Sequence, residues 1–128
     1  MAEAQIILPR CQDCGAVQYP PREVCRRCLG ASIAPAEVDA RGELLSWTAL
    51  HVSHEPALRD HLPWRIGLVK LGDGVVLYAH LCMAEPRAGA PVSLHTGRDL
   101  HGRDVFVAVE PGGLERARTA LRPLIEFS

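Results

Sequence analysis

From Arg41 onward the chain repeats the signature of β-structure. In GELLSWTAL, Leu45, Trp47 and Ala49 alternate with Leu44, Ser46 and Thr48, the period of two expected of a strand. Two aliphatic runs, RIGLVKL and VVLYAHLC, flank Gly72-Asp73-Gly74 and predict a hairpin. A turn-rich break, AEPRAGAP, comes next, and APVSLHT and DVFVAVEP then supply two more strands with GRDLHGR between them. Five strands without a helical period call for a closed or nearly closed small barrel, which buries their apolar faces and protects their edges.

The flanks read differently. Ile6, Ile7 and Leu8 form a short, mildly apolar lead. Residues 29–40, LGASIAPAEVDA, hold few large side chains and read as a connector. After Pro111-Gly112-Gly113, Leu114, Ala117, Leu121, Leu124 and Ile125 recur at spacings of three and four, an amphipathic helix with Arg116, Arg118 and Arg122 on its polar side. Pro123 should kink or end that helix near Arg122, because its ring displaces the preceding turn. The expected division is a cysteine-bearing lead over 1–36, a barrel over 37–112 and a C-terminal amphipathic helix over 113–128.

Composition narrows the function classes. The 128 residues are 48% hydrophobic and 23% charged, as in ordinary globular proteins. No apolar run is long enough to span a bilayer, and MAEAQIILPR has neither the basic start nor the apolar core of a secretory signal. A cytoplasmic location is expected, with no membrane partner. A net charge of −1 provides no field to gather nucleic acid. The basic residues are thirteen arginines and one lysine, Lys70.

Four of the five cysteines fall in CQDCGAVQYPPREVCRRC, at Cys11, Cys14, Cys25 and Cys28. Two residues between paired cysteines let one tight turn aim both sulfurs at a single ion, and Gly15 eases the first turn. Pro20-Pro21 favours a reversal that brings the second pair across. In a reducing compartment this pattern indicates metal binding rather than disulfides. The ion expected is one Zn2+. Four thiolates close its tetrahedral shell, so its role is structural; a catalytic zinc keeps a position open to water.

Other candidates for chemistry are sparse. Arg10, Arg22, Arg26 and Arg27 cluster around the cysteines, either as a solvated face or as a grip on phosphates. His51, His54 and His61 lie in the long loop HVSHEPALRDHLPW, at spacings that match no metal pattern. His80 and Cys82 lie on a strand, where a satisfied histidine and a small buried thiol are expected. No Ser/His/Asp set, paired carboxylates or phosphate-cradling glycine loop emerges.

The order of parts resembles a known family. CQDCGAVQYPPREVCRRC followed by GELLSW and IGLVKLGDGVVLYAHL is similar to the bacterial and archaeal OB-fold, acyl-CoA-associated proteins first catalogued as domain of unknown function 35. The likeness covers roughly residues 8–110 and is most specific in the cysteine spacing. It implies a mainly β fold: a rubredoxin-like zinc ribbon, a five-stranded OB-fold barrel and a short C-terminal helix. It also implies an accessory subunit, not an enzyme on its own. The partner implied is a thiolase-like or ketoacyl-synthase-like protein in a hetero-oligomeric acyl-CoA or acyl-transfer complex. The small subunit then braces the partner or contacts acyl-CoA, with Tyr19, Arg22, Arg26 and Arg27 as the candidate contacts. Members of that family often carry a helical segment before the ribbon, where this chain has ten residues, so contacts of that segment are not carried over.

Two other readings compete. A free-standing acyl-CoA binding protein would need no partner. A zinc-ribbon/OB nucleic-acid-binding module would need aromatic platforms and a positive groove. With six aromatic residues in all, and seven basic against nine acidic residues over 38–110, that last reading is the weakest.

Overall fold

In the computed structural model, residues 5–127 are described. The elements in chain order are β1 (Gln5–Cys11), β2 (Ile33–Asp39), β3 (Arg41–Leu50), α1 (Pro56–Arg59), β4 (Trp64–Leu71), β5 (Val76–Cys82), β6 (Pro91–Asp99), β7 (Asp104–Val109), α2 (Leu114–Leu121) and β8 (Ile125–Phe127). The expected mainly β architecture is present, with the cysteine ribbon ahead of an OB-type barrel.

The barrel is β3–β4–β5–β7–β6, brought round on itself where the start of β3 pairs with β6. Every neighbouring pair is antiparallel except β5 and β7, which run parallel. Closure requires β3 to serve two neighbours at once, and Gly42 sits at that point, paired with Leu71 on one side and Val92 on the other. A Cβ at Gly42 would strike the Lys70 carbonyl, so this crossing requires glycine.

The alternation read in GELLSWTAL breaks at a bulge. The register slips between Leu44 and Ser46, so Leu44 opposes Val69 and Trp47 opposes Gly67. Val69 and Gly67 lie two apart and share a face, which puts Leu44 and Trp47 on the same face despite their odd separation. Leu44 is fully buried in the core, and Trp47 lies at the rim with the Arg65 guanidinium 5.5 Å from its ring centre.

Two flanking expectations are corrected. The lead and the connector are strands: β1 and β2 pair antiparallel from Gln5–Asp39 to Cys11–Ile33. Their alternate residues Ile6, Leu8 and Val38 enter the same core as Leu44, Val69, Leu77 and Leu94. The ribbon's stem is therefore packed on the barrel, and β2 runs across the expected 36/37 division. The C-terminal helix is also shorter than 113–128. Pro123 stops it at Leu121, as expected, but Leu124 and Ile125 leave the helical path. Ile125 opens β8, which adds to β6 opposite Gly97–Asp99. Ala117, Leu121, Leu124 and Ile125 still pack together, in a second core with Trp64, Val107 and Val109.

Candidate functional site

The ribbon is built from two similar turns. In the first, the Gly15 amide donates to the Cys11 carbonyl at 2.9 Å; in the second, the Leu29 amide donates to the Cys25 carbonyl at 2.9 Å. The residue after each second cysteine is left-handed, Gly15 at φ 79° and Leu29 at φ 64°. Gln18 ties the turns together from a buried position. Its amide Nε2 donates to the Val24 carbonyl at 3.2 Å, and its Oε1 accepts from the Arg26 amide at 3.0 Å. Nothing in the spacing pointed to Gln18; its polar type in an otherwise ordinary spacer gave no signal.

These turns bring Cys11, Cys14, Cys25 and Cys28 together, with all four sulfurs within 4.8 Å of one another. Cys11–Cys28 and Cys14–Cys25 each stand 3.6 Å apart. A tetrahedral ion with sulfur ligands at about 2.3 Å has sulfur–sulfur edges of about 3.8 Å, so the cluster fits a tetrathiolate metal centre. Backbone amides support the sulfurs from outside: Arg27 N–H reaches Cys25 Sγ at 3.3 Å and Gly30 N–H reaches Cys28 Sγ at 3.4 Å.

Two of the thiols shift in opposite directions. Donation from the Cys28 and Arg27 amides holds the Cys25 thiol down to about 6. At Cys28 the Gly30 amide favours the thiolate, but the crowd of neighbouring sulfurs, Cys11 first, outweighs it and pushes the thiol up to about 12. Four thiolates repel one another unless a positive ion sits between them, and a divalent ion reverses that logic. Among the described residues this is the only group of ligating side chains placed to hold a metal.

The side chains named as CoA or partner contacts lie on separate surfaces. Arg22 lines a groove with Ile7, Pro9, Ile33 and Pro35 on the outer face of β1 and β2. Arg26 and Arg27 line a second cleft, shared with Gln18 and the β4–β5 turn at Asp73–Val76. Tyr19 packs edge-on against Phe106 of β7, ring centres 5.2 Å apart. Only Arg26 and Arg27 of the four share a cleft. Arg10 turns toward the same β4–β5 turn, 3.9 Å from the Asp73 carboxylate.

The remaining candidates have structural surroundings. His51 and His54 are exposed loop residues. His80, on β5, accepts a hydrogen bond at Nδ1 from the Trp64 indole at 2.8 Å, and burial pushes its imidazole down from the ordinary range. Cys82 is half-buried beside the second core, where burial raises its thiol. Among the described residues no helix is long and apolar enough to cross a membrane.

Two family models match the chain in succession: the ChsH2 rubredoxin-like zinc ribbon domain over residues 2–34, and the ChsH2 C-terminal OB-fold domain over 36–97. A DUF35 domain-containing scaffold protein of Methanocaldococcus jannaschii is 23% identical over 78 residues, 60% of this chain and 55% of that protein. A similarly named protein of Pyrococcus furiosus is 28% identical, over 64% of this chain and 59% of its own length. A probable enoyl-CoA hydratase alpha subunit of Thermomonospora curvata is 26% identical over 72% of this chain and 29% of its own length. The chain thus aligns with about a third to three fifths of these relatives. Among solved structures, an "Ltp2-ChsH2(DUF35) aldolase" chain superposes with a TM-score of 0.68 at 24% identity, over 84% of this chain and 85% of that one. A DUF35-family protein of unknown function from Sulfolobus solfataricus superposes with a TM-score of 0.54 at 17% identity, over 83% of this chain and 75% of that one. At these identities the superpositions establish a shared fold.

Proposed function

Because the chain belongs to the ChsH2, or DUF35, family of zinc-ribbon/OB-fold proteins, we propose that it is a non-catalytic subunit of an acyl-CoA-processing enzyme complex. In this reading it braces a thiolase-like or ketoacyl-synthase-like partner that forms or cleaves a carbon–carbon bond. The observation that carries the reading is the closed sulfur cluster: all four ligand atoms lie within 4.8 Å of one another, which leaves no coordination position for a substrate. A chain whose most chemistry-laden group is shut contributes shape rather than a reacting atom. The names of similar proteins support the same reading: a scaffold protein, an enoyl-CoA hydratase alpha subunit and an Ltp2-ChsH2(DUF35) aldolase.

The ion in this reading is one structural Zn2+ held by Cys11, Cys14, Cys25 and Cys28. Bound there, it supplies charge neutralisation and a fixed tetrahedral crosslink. The four cysteines hold the two turns in register, Gln18 locks their backbones, and β1 and β2 transmit that order to the barrel. A contact with CoA phosphates narrows to Arg26 and Arg27, which line one cleft and can offer two planar donor forks to one anion.

The test is an acyl-CoA cleavage or condensation assay on the partner enzyme with and without this chain. The reading expects no turnover by the chain alone and a loss of at least about tenfold in the partner's activity or its half-life when the chain is withheld. Turnover by the chain alone would overturn it.

A further inference from the structure

The outer face of the barrel carries a cleft unrelated to the sulfur cluster. Its floor is Trp64, Ile66 and His80 on β4 and β5. The loop after β3 supplies Leu58 on one wall, and the β6–β7 turn supplies Leu100. The tail closes one end with Leu124 and Ile125. The loop and the turn are tied across the rim by His101 Nε2 and the Glu55 carboxylate at 3.0 Å. Strands two and three of such a barrel, with the loops beside them, are where OB folds take ligands.

Three observations define what would fit. The first is size. The cleft has about 200 Å3, and an apolar cavity of about 150 Å3 holds benzene, so the portion of a ligand seated in it is a little larger than one aromatic ring. The second is charge. The ionisable side chains at the rim are matched to one another, Glu55 with His101 and Asp99 with Arg103, which stand 2.9 Å apart. The floor and walls, Trp64, Ile66, Leu58 and Leu100, are apolar, so an uncharged ligand is favoured between them.

The third is a single unmet donor. An indole N–H can only donate, so its bond to His80 Nδ1 fixes that nitrogen as an acceptor. The neutral ring must then carry its proton on Nε2. Among the described residues no acceptor meets that Nε2–H, and the nitrogen is not sealed from solvent. The ring stands edge-on to Trp64, 5.6 Å between centres, so Trp64 fixes its tilt as well as its tautomer. His80 lines this cleft and the adjoining one beside Tyr19 and Phe106, so a ligand seated here lies against the ring that carries the preset donor.

We propose that this cleft binds a compact, uncharged apolar molecule, slightly larger than benzene, whose ketone- or ester-type carbonyl accepts the His80 Nε2–H. The site does not depend on the subunit role argued above. Nuclear magnetic resonance of the full chain tests it, following the Trp64 indole N–H and the His80 ring during titration with acetophenone and, separately, ethylbenzene. The two probes share size and differ in the carbonyl. Acetophenone should shift both reporters saturably and bind about fivefold tighter than ethylbenzene, the ratio one neutral hydrogen bond supports. In His80→Phe the two probes should bind equally. In Leu58→Trp, which fills the cleft and leaves His80 and Trp64 in place, neither should bind. Equal affinities in the unaltered chain, an absence of saturable shifts, or binding that survives Leu58→Trp would each overturn the proposal.

Discussion

Leu29 and Gly15 occupy equivalent places after the second cysteine of each turn, and both are left-handed. Glycine adopts that conformation freely, whereas an L side chain meets the following carbonyl at a cost of roughly 1–2 kcal/mol. The Leu29 side chain is 76% exposed, so little packing offsets the strain. Leu29→Gly should therefore raise stability by up to about 1 kcal/mol once the greater freedom of the unfolded glycine chain is counted; urea denaturation of the two forms measures it. The sequence shows Gly15 in its expected role but gives no sign that Leu29 shares it, because the conformation belongs to the turn that its amide closes on the Cys25 carbonyl. His80 carries a second residue-scale consequence. Its folded-state pKa lies below the reference 6.5 because burial disfavours the imidazolium, and protonation at Nδ1 would also break the bond from Trp64. The unfolded chain then binds the proton more readily, so this contribution to stability is present above pH 6.5 and is lost as pH falls through the folded-state pKa. His80→Gln keeps an acceptor for the indole without a titrating group. Unfolding free energies measured by urea denaturation between pH 7 and 5 should fall more steeply for the unaltered chain than for His80→Gln, by no more than about 1.4 kcal/mol per pH unit. Parallel profiles would remove His80 from the account.

At the scale of elements, the five barrel strands were legible because each carries its own apolar run and its own turn residues. The cysteine ribbon was legible for the same reason: two Cys-x-x-Cys pairs state their chemistry locally. What escaped was pairing between distant segments. Alanine and proline dominate IAPAEVD, so β2 announces itself poorly, and only its match to β1 across the ribbon makes it a strand. IEF at 125–127 is a strand because β6 offers an edge at Gly97, where β8 lies so close that a Cβ would come within 2.9 Å of its backbone. The bulge in β3 was hidden by adjacent leucines, Leu44 and Leu45, either of which could have faced the core. The split of the arginines over two surfaces was equally invisible, since neighbours in sequence can face apart. The β1–β2 pairing has a testable consequence. Ile6, Leu8 and Val38 fill the barrel's own core, so an ion that fixes the ribbon also holds the stem that supplies them. Removing the ion with a chelator should release about one zinc per chain and lower the melting temperature by at least about 10 °C, as expected when several kcal/mol of coupled binding is withdrawn. An unchanged melting curve after complete removal would separate the ribbon from the fold's stability.

The whole molecule is a small barrel with a four-cysteine ribbon packed on it and several grooves on its outside. Net charge is near zero and the arginines are dispersed, which suits specific docking to a protein better than attraction to a polyanion. Exposed apolar side chains remain on both parts, including Ile7 and Leu29 on the ribbon and Tyr78 on the barrel. The most direct measurement is native purification of the tagged chain from its own host, followed by mass spectrometry of the intact assembly. The account predicts a hetero-oligomer of defined stoichiometry containing a thiolase-like or ketoacyl-synthase-like enzyme. Recovery of the metal-loaded chain as a bare monomer, with no enzyme attached under low-salt conditions, would contradict it.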